Sequence, residues 1–124
     1  MNYKLGKKSR TRLVGVHPDL ILLLGTAIQI TPVDFTVLEG LRTKERQARL
    51  LEEKKTTTMN SRHLTGDAVD IGALIDGKIS WDWQYYEDIY GAVCEASRQL
   101  GIEFEWGGNW KSFKDGVHYQ RPWR

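Results

Sequence analysis

The strongest constraint on the fold lies between Asp82 and Gly101. Tyr86, Ile89, Tyr90, Val93, Ser97 and Leu100 recur at helical spacing on one face, while Glu87, Asp88, Glu95 and Arg98 lie elsewhere. Gly101 is a natural helix stop. A helix with one apolar stripe must bury it against another layer. The rest of the chain supplies short segments for that purpose. Asp34–Leu41 and Ala68–Leu74 are rich in strand formers, Ile102–Trp106 alternates, and Val117–Gln120 reads as a short last strand. A helix starting at His17-Pro18-Asp19, with Pro at its first position, runs to about Gln29 and stops before Pro32. Its apolar positions are too dense for a surface helix, so it is expected to be buried. Thr43 to about Lys55 is charged and rich in Ala, Leu, Gln and Glu, which predicts a further helix. Thr56-Thr57-Thr58-Met59-Asn60 reads as a polar loop, and Asp76-Gly77 and Gly107-Gly108-Asn109 read as turns. Strands and helices mix without a regular βαβ rhythm. The expected class is therefore α+β, with a small, mostly antiparallel sheet packed with helices.

The chain has 124 residues, which predicts one domain over 1–124. A chain of this length buries roughly two thirds of its unfolded surface and needs no disulfide staple. Cys94 is the single cysteine, which excludes an internal disulfide and a Cys-rich zinc site. It adjoins the apolar stripe and reads as a packed core thiol. The apolar run Leu20–Leu24 ends at Gly25, far short of the roughly 20 residues that span a bilayer, so no membrane span is expected. Residues 1–12 carry Lys4, Lys7, Lys8, Arg10 and Arg12 and no acids; the net charge is +2, so the remainder sums to −3. No small-residue cleavage site follows the apolar run, so this start does not read as a signal peptide, and a cytoplasmic location is expected. A basic arm can attract nucleic acid, anionic lipid or acidic wall polymer, and its simplest reading is a solvated terminus. No aromatic platform beyond Tyr3 is interleaved with the cations, which argues against nucleic acid as a partner.

The chemistry concentrates in Ser61-Arg62-His63-Leu64-Thr65-Gly66-Asp67-Ala68-Val69-Asp70 and in Asp115-Gly116-Val117-His118. Two of the three His residues fall in these segments. Two His and one carboxylate are a common ligand set for catalytic zinc, with a further position left for water. His63 and Asp70 are seven residues apart. On one helix they would lie roughly 10 Å apart along the axis, too far for ligands each about 2 Å from a zinc ion. On one straight strand they would point to opposite faces. Only a turn between them lets both converge, and Gly66 is where a turn is easiest. His118 can then arrive on a neighbouring strand. Asp115 can stand beside the metal as the group that moves protons for a hydrolysis. Each residue also has a plainer reading. His63 reads as a surface or capping residue, His118 as a satisfied core histidine, and Asp115-Gly116 as an ordinary turn.

Together these segments resemble a known family. Ser-x-His-x-x-Gly-x-Ala-x-Asp at Ser61–Asp70, followed by Asp-x-x-His at Asp115–His118, is similar to the zinc D-Ala-D-Ala and L-alanyl-D-glutamate peptidases, which cut peptidoglycan stem peptides. The resemblance is strongest to the phage endolysin branch. That branch shows Glu-Gly-x-Arg-Thr before a Gln-bearing helix, here Glu39–Thr43 and Gln47, and Trp-Gly-Gly-x-Trp, here Trp106–Trp110. The resemblance covers about residues 17–121, and the basic arm is not matched by it.

The resemblance implies the Hedgehog/D,D-peptidase-like zinc peptidase fold, with one Zn2+ ion held by His63, Asp70 and His118. It implies Asp115 as catalytic base and Arg42 as the group that holds the scissile carbonyl or the developing oxyanion. A guanidinium suits that task because it stays charged and presents several donors. Ser61 either bonds substrate or braces the His63 loop. Trp106 and Trp110 are expected to wall a substrate groove, although aromatics at such spacing are more often core. Glu103 or Glu105 is the fallback base. The function implied is a zinc endopeptidase of bacterial peptidoglycan, an endolysin cutting the L-Ala–D-Glu bond to lyse the cell. It is expected to be monomeric and held in the host cytoplasm until released to the wall. The alternatives are a D,D- or L,D-carboxypeptidase of the same fold and a non-catalytic zinc-stabilised wall-binding module.

Overall fold

The computed structural model describes residues 3–56, 58–112 and 114–123; Met1 and Asn2 of the arm and Thr57 of the polar loop lie outside the described residues. The elements are α1 (Lys7–Arg12), α2 (Pro18–Ile30), β1 (Phe35–Glu39), α3 (Lys44–Glu52), β2 (Ala68–Ile75), β3 (Lys78–Ser80), α4 (Trp83–Leu100), β4 (Glu105–Trp106) and β5 (His118–Gln120). Short 3-10 turns cover Arg62–Thr65 and Gly107–Asn109. The sheet runs in the order β1-β2-β5-β4, with β3 also on β2, and the pairs are antiparallel. The fold is α+β.

Alternation along the strands separates two faces. Phe35, Val37, Val69, Ile71, Ala73, Trp106 and Tyr119 are buried with Leu20, Leu23 and Leu24 of α2 and Tyr86, Ile89, Val93 and Ala96 of α4. This cluster is the hydrophobic core. The other face is polar. Asp70 pairs with His118, and Gln120 with both Ala68 and Glu105, so these side chains emerge together from strands that are apolar on their reverse. Glu39 joins them through an irregularity. Val37 pairs with Ile71 but Glu39 pairs with Asp70, a register shift that inserts one residue at Leu38. Without it Glu39 would share the core face of Phe35 and Val37. The bulge re-aims its carboxylate to the polar face.

The helices start as their sequences dictate. His17 Nδ1 accepts from the Asp19 N–H at the start of α2, and Thr43 Oγ1 accepts from the Arg46 N–H at the start of α3. Gly101, at φ 69°, ends α4. The buried stripe of α4 differs from the one read from spacing. Ala92 and Ala96 are buried, whereas Leu100 is 37% exposed. Alanines contribute little to an apolar stripe but let a helix sit close to its neighbour. The turn at Asp76-Gly77, where both residues have positive φ, joins β2 to β3. Strand β3 was not expected, because Lys78–Ser80 is short and polar. It is held from α4, whose Tyr86 hydroxyl donates to Ser80 O at 2.7 Å and accepts from Ala73 N at 3.0 Å.

The arm is not simply a solvated terminus. It folds as α1 along the free edge of β1. Ser9 is buried, its Oγ accepting from Val37 N at 2.9 Å and meeting Thr36 Oγ1 at 2.9 Å. Arg12 Nη1 donates to Val37 O at 2.9 Å. An exposed strand edge presents unpaired N–H and C=O groups, and α1 satisfies them with side chains. The remaining cations of the arm, Lys4, Lys7, Lys8 and Arg10, are exposed. Ser9→Ala removes the acceptor of a buried N–H. It is expected to cost about 1–3 kcal/mol, seen as a lower denaturant midpoint at unchanged slope.

Candidate metal centre

His63 is placed by a short turn that its neighbours cap. Ser61 Oγ accepts from His63 N at 3.2 Å, and Arg42 N donates to His63 O at 2.9 Å. Gly66 closes the turn with φ 76°, and a Cβ there would overlap the Gly15 carbonyl oxygen. Both facts require glycine. The chain then enters β2 and brings Asp70 back toward His63, while β5 carries His118 alongside.

The three side chains meet at a point. Asp70 Oδ1 lies 3.2 Å from His63 Nε2 and 3.1 Å from His118 Nδ1, and all three ligand atoms lie within 4.8 Å of one another. Ligands about 2.1 Å from a tetrahedral zinc ion would stand about 3.4 Å apart, so this cluster needs little rearrangement to receive one. The outer ring nitrogens decide what the inner ones present. His63 Nδ1 lies 2.8 Å from Gly40 O, and His118 Nε2 lies 2.8 Å from Gln120 Oε1. A carbonyl oxygen only accepts, so each outer nitrogen is the donor. In the neutral rings the inner nitrogens then offer lone pairs toward the Asp70 carboxylate. A convergence of acceptors on one point calls for a cation, and these residues fit a divalent metal ion.

Burial alone would raise the Asp70 carboxyl, but when the rings carry a proton on their inner nitrogens, hydrogen bonds from His118 and His63, and their charges, hold it well below the usual carboxylate range. Burial, then Asp70's charge, pushes the Asp115 carboxyl above its ordinary value. Asp115 sits in a turn where its N–H donates to Gly107 O at 3.0 Å and its carbonyl accepts from His118 N at 3.2 Å. A Cβ at Gly107 would strike the Asp115 backbone, so the Gly-Gly segment lets this turn approach the sheet.

Asp115, Arg42, Ser61 and Trp110 line one open cleft of about 820 Å³ with the three ligand residues. Trp110 lies against His118, with ring centroids 5.2 Å apart. Trp106 does not line this cleft. It is buried, stacked on Tyr90 at 4.2 Å and Trp83 at 5.6 Å, and its indole N–H donates to Gly116 O at 2.8 Å. It packs the Asp115-Gly116 turn from behind. Ser61 lies on the cleft while also capping the His63 turn. Glu103 is exposed and is not among the lining residues, whereas Glu105 lines the cleft and accepts from Gln120 Nε2 at 2.9 Å.

Arg42 is tied down on several sides. Its Nη2 donates to Glu39 Oε1 at 2.6 Å and lies 3.7 Å from Asp70 Oδ2, and its Nη1 donates to Gln47 Oε1 at 2.8 Å. Its buried Nε has no hydrogen-bond partner among the described residues. Gln47 is fully buried and also donates to Thr58 O at 2.6 Å, which ties α3 to the loop at the cleft rim.

The model of the phage L-alanyl-D-glutamate peptidase family matches residues 1–120. The chain belongs to that family. The match includes the arm, which the motif-level resemblance did not reach. The L-alanyl-D-glutamate peptidase of Escherichia phage T5 is 33% identical over 93% of this chain and 87% of that protein. The peptidoglycan L-alanyl-D-glutamate endopeptidase CwlK of Bacillus subtilis is 34% identical over 71% of this chain and 60% of its own length. The crystal structure of the L-Ala D-Glu endopeptidase ChiX from Serratia marcescens superposes with a TM-score of 0.91 at 44% identity, covering 98% of this chain and 91% of that one.

Within this L-alanyl-D-glutamate peptidase domain, sequence reasoning missed Glu39 and Gln120 as site residues. It quoted Glu39 and Gln47 only as motif letters. The Glu39–Arg42 spacing was a signal for an ion pair, but its use depended on the bulge at Leu38. Gln120 gave no signal, since a polar residue in a short last strand reads as solvent-facing.

Proposed function

We propose that this chain is a zinc-dependent peptidoglycan endopeptidase that hydrolyses the L-Ala–D-Glu amide of the stem peptide and so lyses the bacterial cell. The observation that carries the reading is the convergence of His63, Asp70 and His118 beside Asp115 in one open cleft, within a chain of this family. His63, Asp70 and His118 would hold the ion. When bound, it supplies a polarised carbonyl and a water of lowered pKa. Asp115 takes a proton from the attacking water and returns it to the departing D-Glu nitrogen as the C–N bond breaks. Arg42, held rigid by Glu39 and Gln47, stabilises the developing oxyanion. Trp110 and Ser61 contact the stem peptide along the cleft.

Among the described residues, no helix is long and apolar enough to cross a membrane. We propose that the enzyme acts as a monomer and reaches the wall from the host cytoplasm.

The test is a digest of purified peptidoglycan, with and without chelator, read by mass spectrometry. New L-Ala carboxyl and D-Glu amino ends are expected, abolished by chelator and restored by zinc. Release of a single terminal D-Ala would instead identify a carboxypeptidase. Zinc-loaded protein that yields no products would overturn the catalytic reading.

A further inference from the structure

The site face holds a chain of side chains that no step above uses. Glu105 and Gln120 stand opposite one another in the β4–β5 pair. Gln120 is 4% exposed, and both ends of its amide are engaged. Its Nε2 donates to Glu105 Oε1 at 2.9 Å, and its Oε1 lies 2.8 Å from His118 Nε2.

A carboxamide turned end for end keeps its shape but exchanges donor and acceptor. The two orientations have opposite effects on His118. With Oε1 toward the ring, His118 Nε2 carries the hydrogen and Nδ1 keeps its lone pair for the cation. With the amino group toward the ring, Nε2 must accept, and the neutral ring carries its hydrogen on Nδ1, where it blocks a ligand bond. Glu105 breaks the tie, because an ionised carboxylate only accepts and so draws the amino group to itself. His63 needs no such arrangement, since its outer nitrogen meets the Gly40 carbonyl, a backbone acceptor that cannot be reversed.

We propose that Glu105 is a positioning residue that orients the Gln120 amide and thereby sets His118 in the tautomer that ligates through Nδ1. The inference rests on the metal reading of the site. It gives Glu105 a task other than proton transfer, and it explains why an acid and an amide are placed together on the reverse of a core strand pair.

The test measures zinc affinity by chelator competition, together with the ring-nitrogen NMR signals of His118 in the zinc-loaded protein. Wild-type protein is expected to show Nδ1 bound to zinc and a hydrogen-bonded Nε2–H. Glu105→Leu should weaken zinc by about 10–100-fold and disturb that Nε2–H signal. The double variant Glu105→Leu/Gln120→Glu should recover most of the affinity. A carboxylate at position 120 accepts from His118 with either oxygen and needs no orienting partner. Gln120→Leu removes the acceptor itself and must weaken zinc comparably, which keeps the test decisive if Glu105→Leu does not fold. Wild-type affinity in either folded single leucine variant, ligation through Nε2, or no recovery in the double variant overturns the inference. Failure of wild-type protein to bind zinc overturns the metal reading and the inference together, whereas the other outcomes leave the metal reading standing.

Discussion

His118→Ala is expected to weaken zinc binding severely and to remove most turnover. A structural zinc site is worth about 10–16 kcal/mol; spread over its four ligands, each accounts for roughly 2.5–4 kcal/mol, or on the order of 10²–10³ in affinity. The loss is compounded here because His118 also separates Asp70 from Gln120, so its removal leaves both without a partner they now have. Turnover should fall by roughly 10³-fold or more, since the metal supplies several kcal/mol of charge stabilisation. Chelator competition and the peptidoglycan digest measure the two losses. A variant that binds zinc normally would remove His118 from the ligand set. The fold should survive, because the β5 backbone pairing and the buried Tyr119 beside it are untouched.

Asp115→Asn is expected to separate binding from catalysis. The substitution keeps the side chain's shape. The hydrogen bonds that position this turn use the Asp115 backbone, so the turn itself should persist. Zinc affinity should change little. Loss of the proton carrier should lower turnover by about 10²–10⁴-fold. Full turnover with zinc bound would mean that another group moves the proton. Glu105 would be the residue to test next, although its carboxylate already accepts from Gln120.

Much of the fold was legible. The long helix announced itself because its apolar residues recur with the helical period and Gly101 ends it. The strands around Ala68 and Val117 followed from strand-forming residues bounded by turn residues. Elements whose stability comes from their neighbours were not legible. Helix α1 is a short basic stretch with no apolar stripe, and it forms because Ser9 and Arg12 complete the bonding of an edge strand. Strand β3 is polar and depends on Tyr86. The true stripe of α4 runs through Ala92 and Ala96, which carry almost no hydrophobic signal.

For the site, spacing set a condition on how His63 and Asp70 could meet, and the family resemblance named the ligands. A His and an Asp seven residues apart can share an ion only across a turn, and Gly66 supplies it because its left-handed backbone favours glycine. That argument is local and needs no tertiary contact. What surrounds the ligands is a different matter. Trp106 lies behind the Asp115 turn rather than on the cleft, because the core had room for its ring between α4 and the sheet. Glu39 faces Arg42 only because one residue bulges at Leu38. Gln120 and Glu105 meet only because β4 and β5 pair in one register. Strand register and bulge position depend on how the whole sheet packs, so residues that bind one another across strands leave no mark in the spacing of either strand alone.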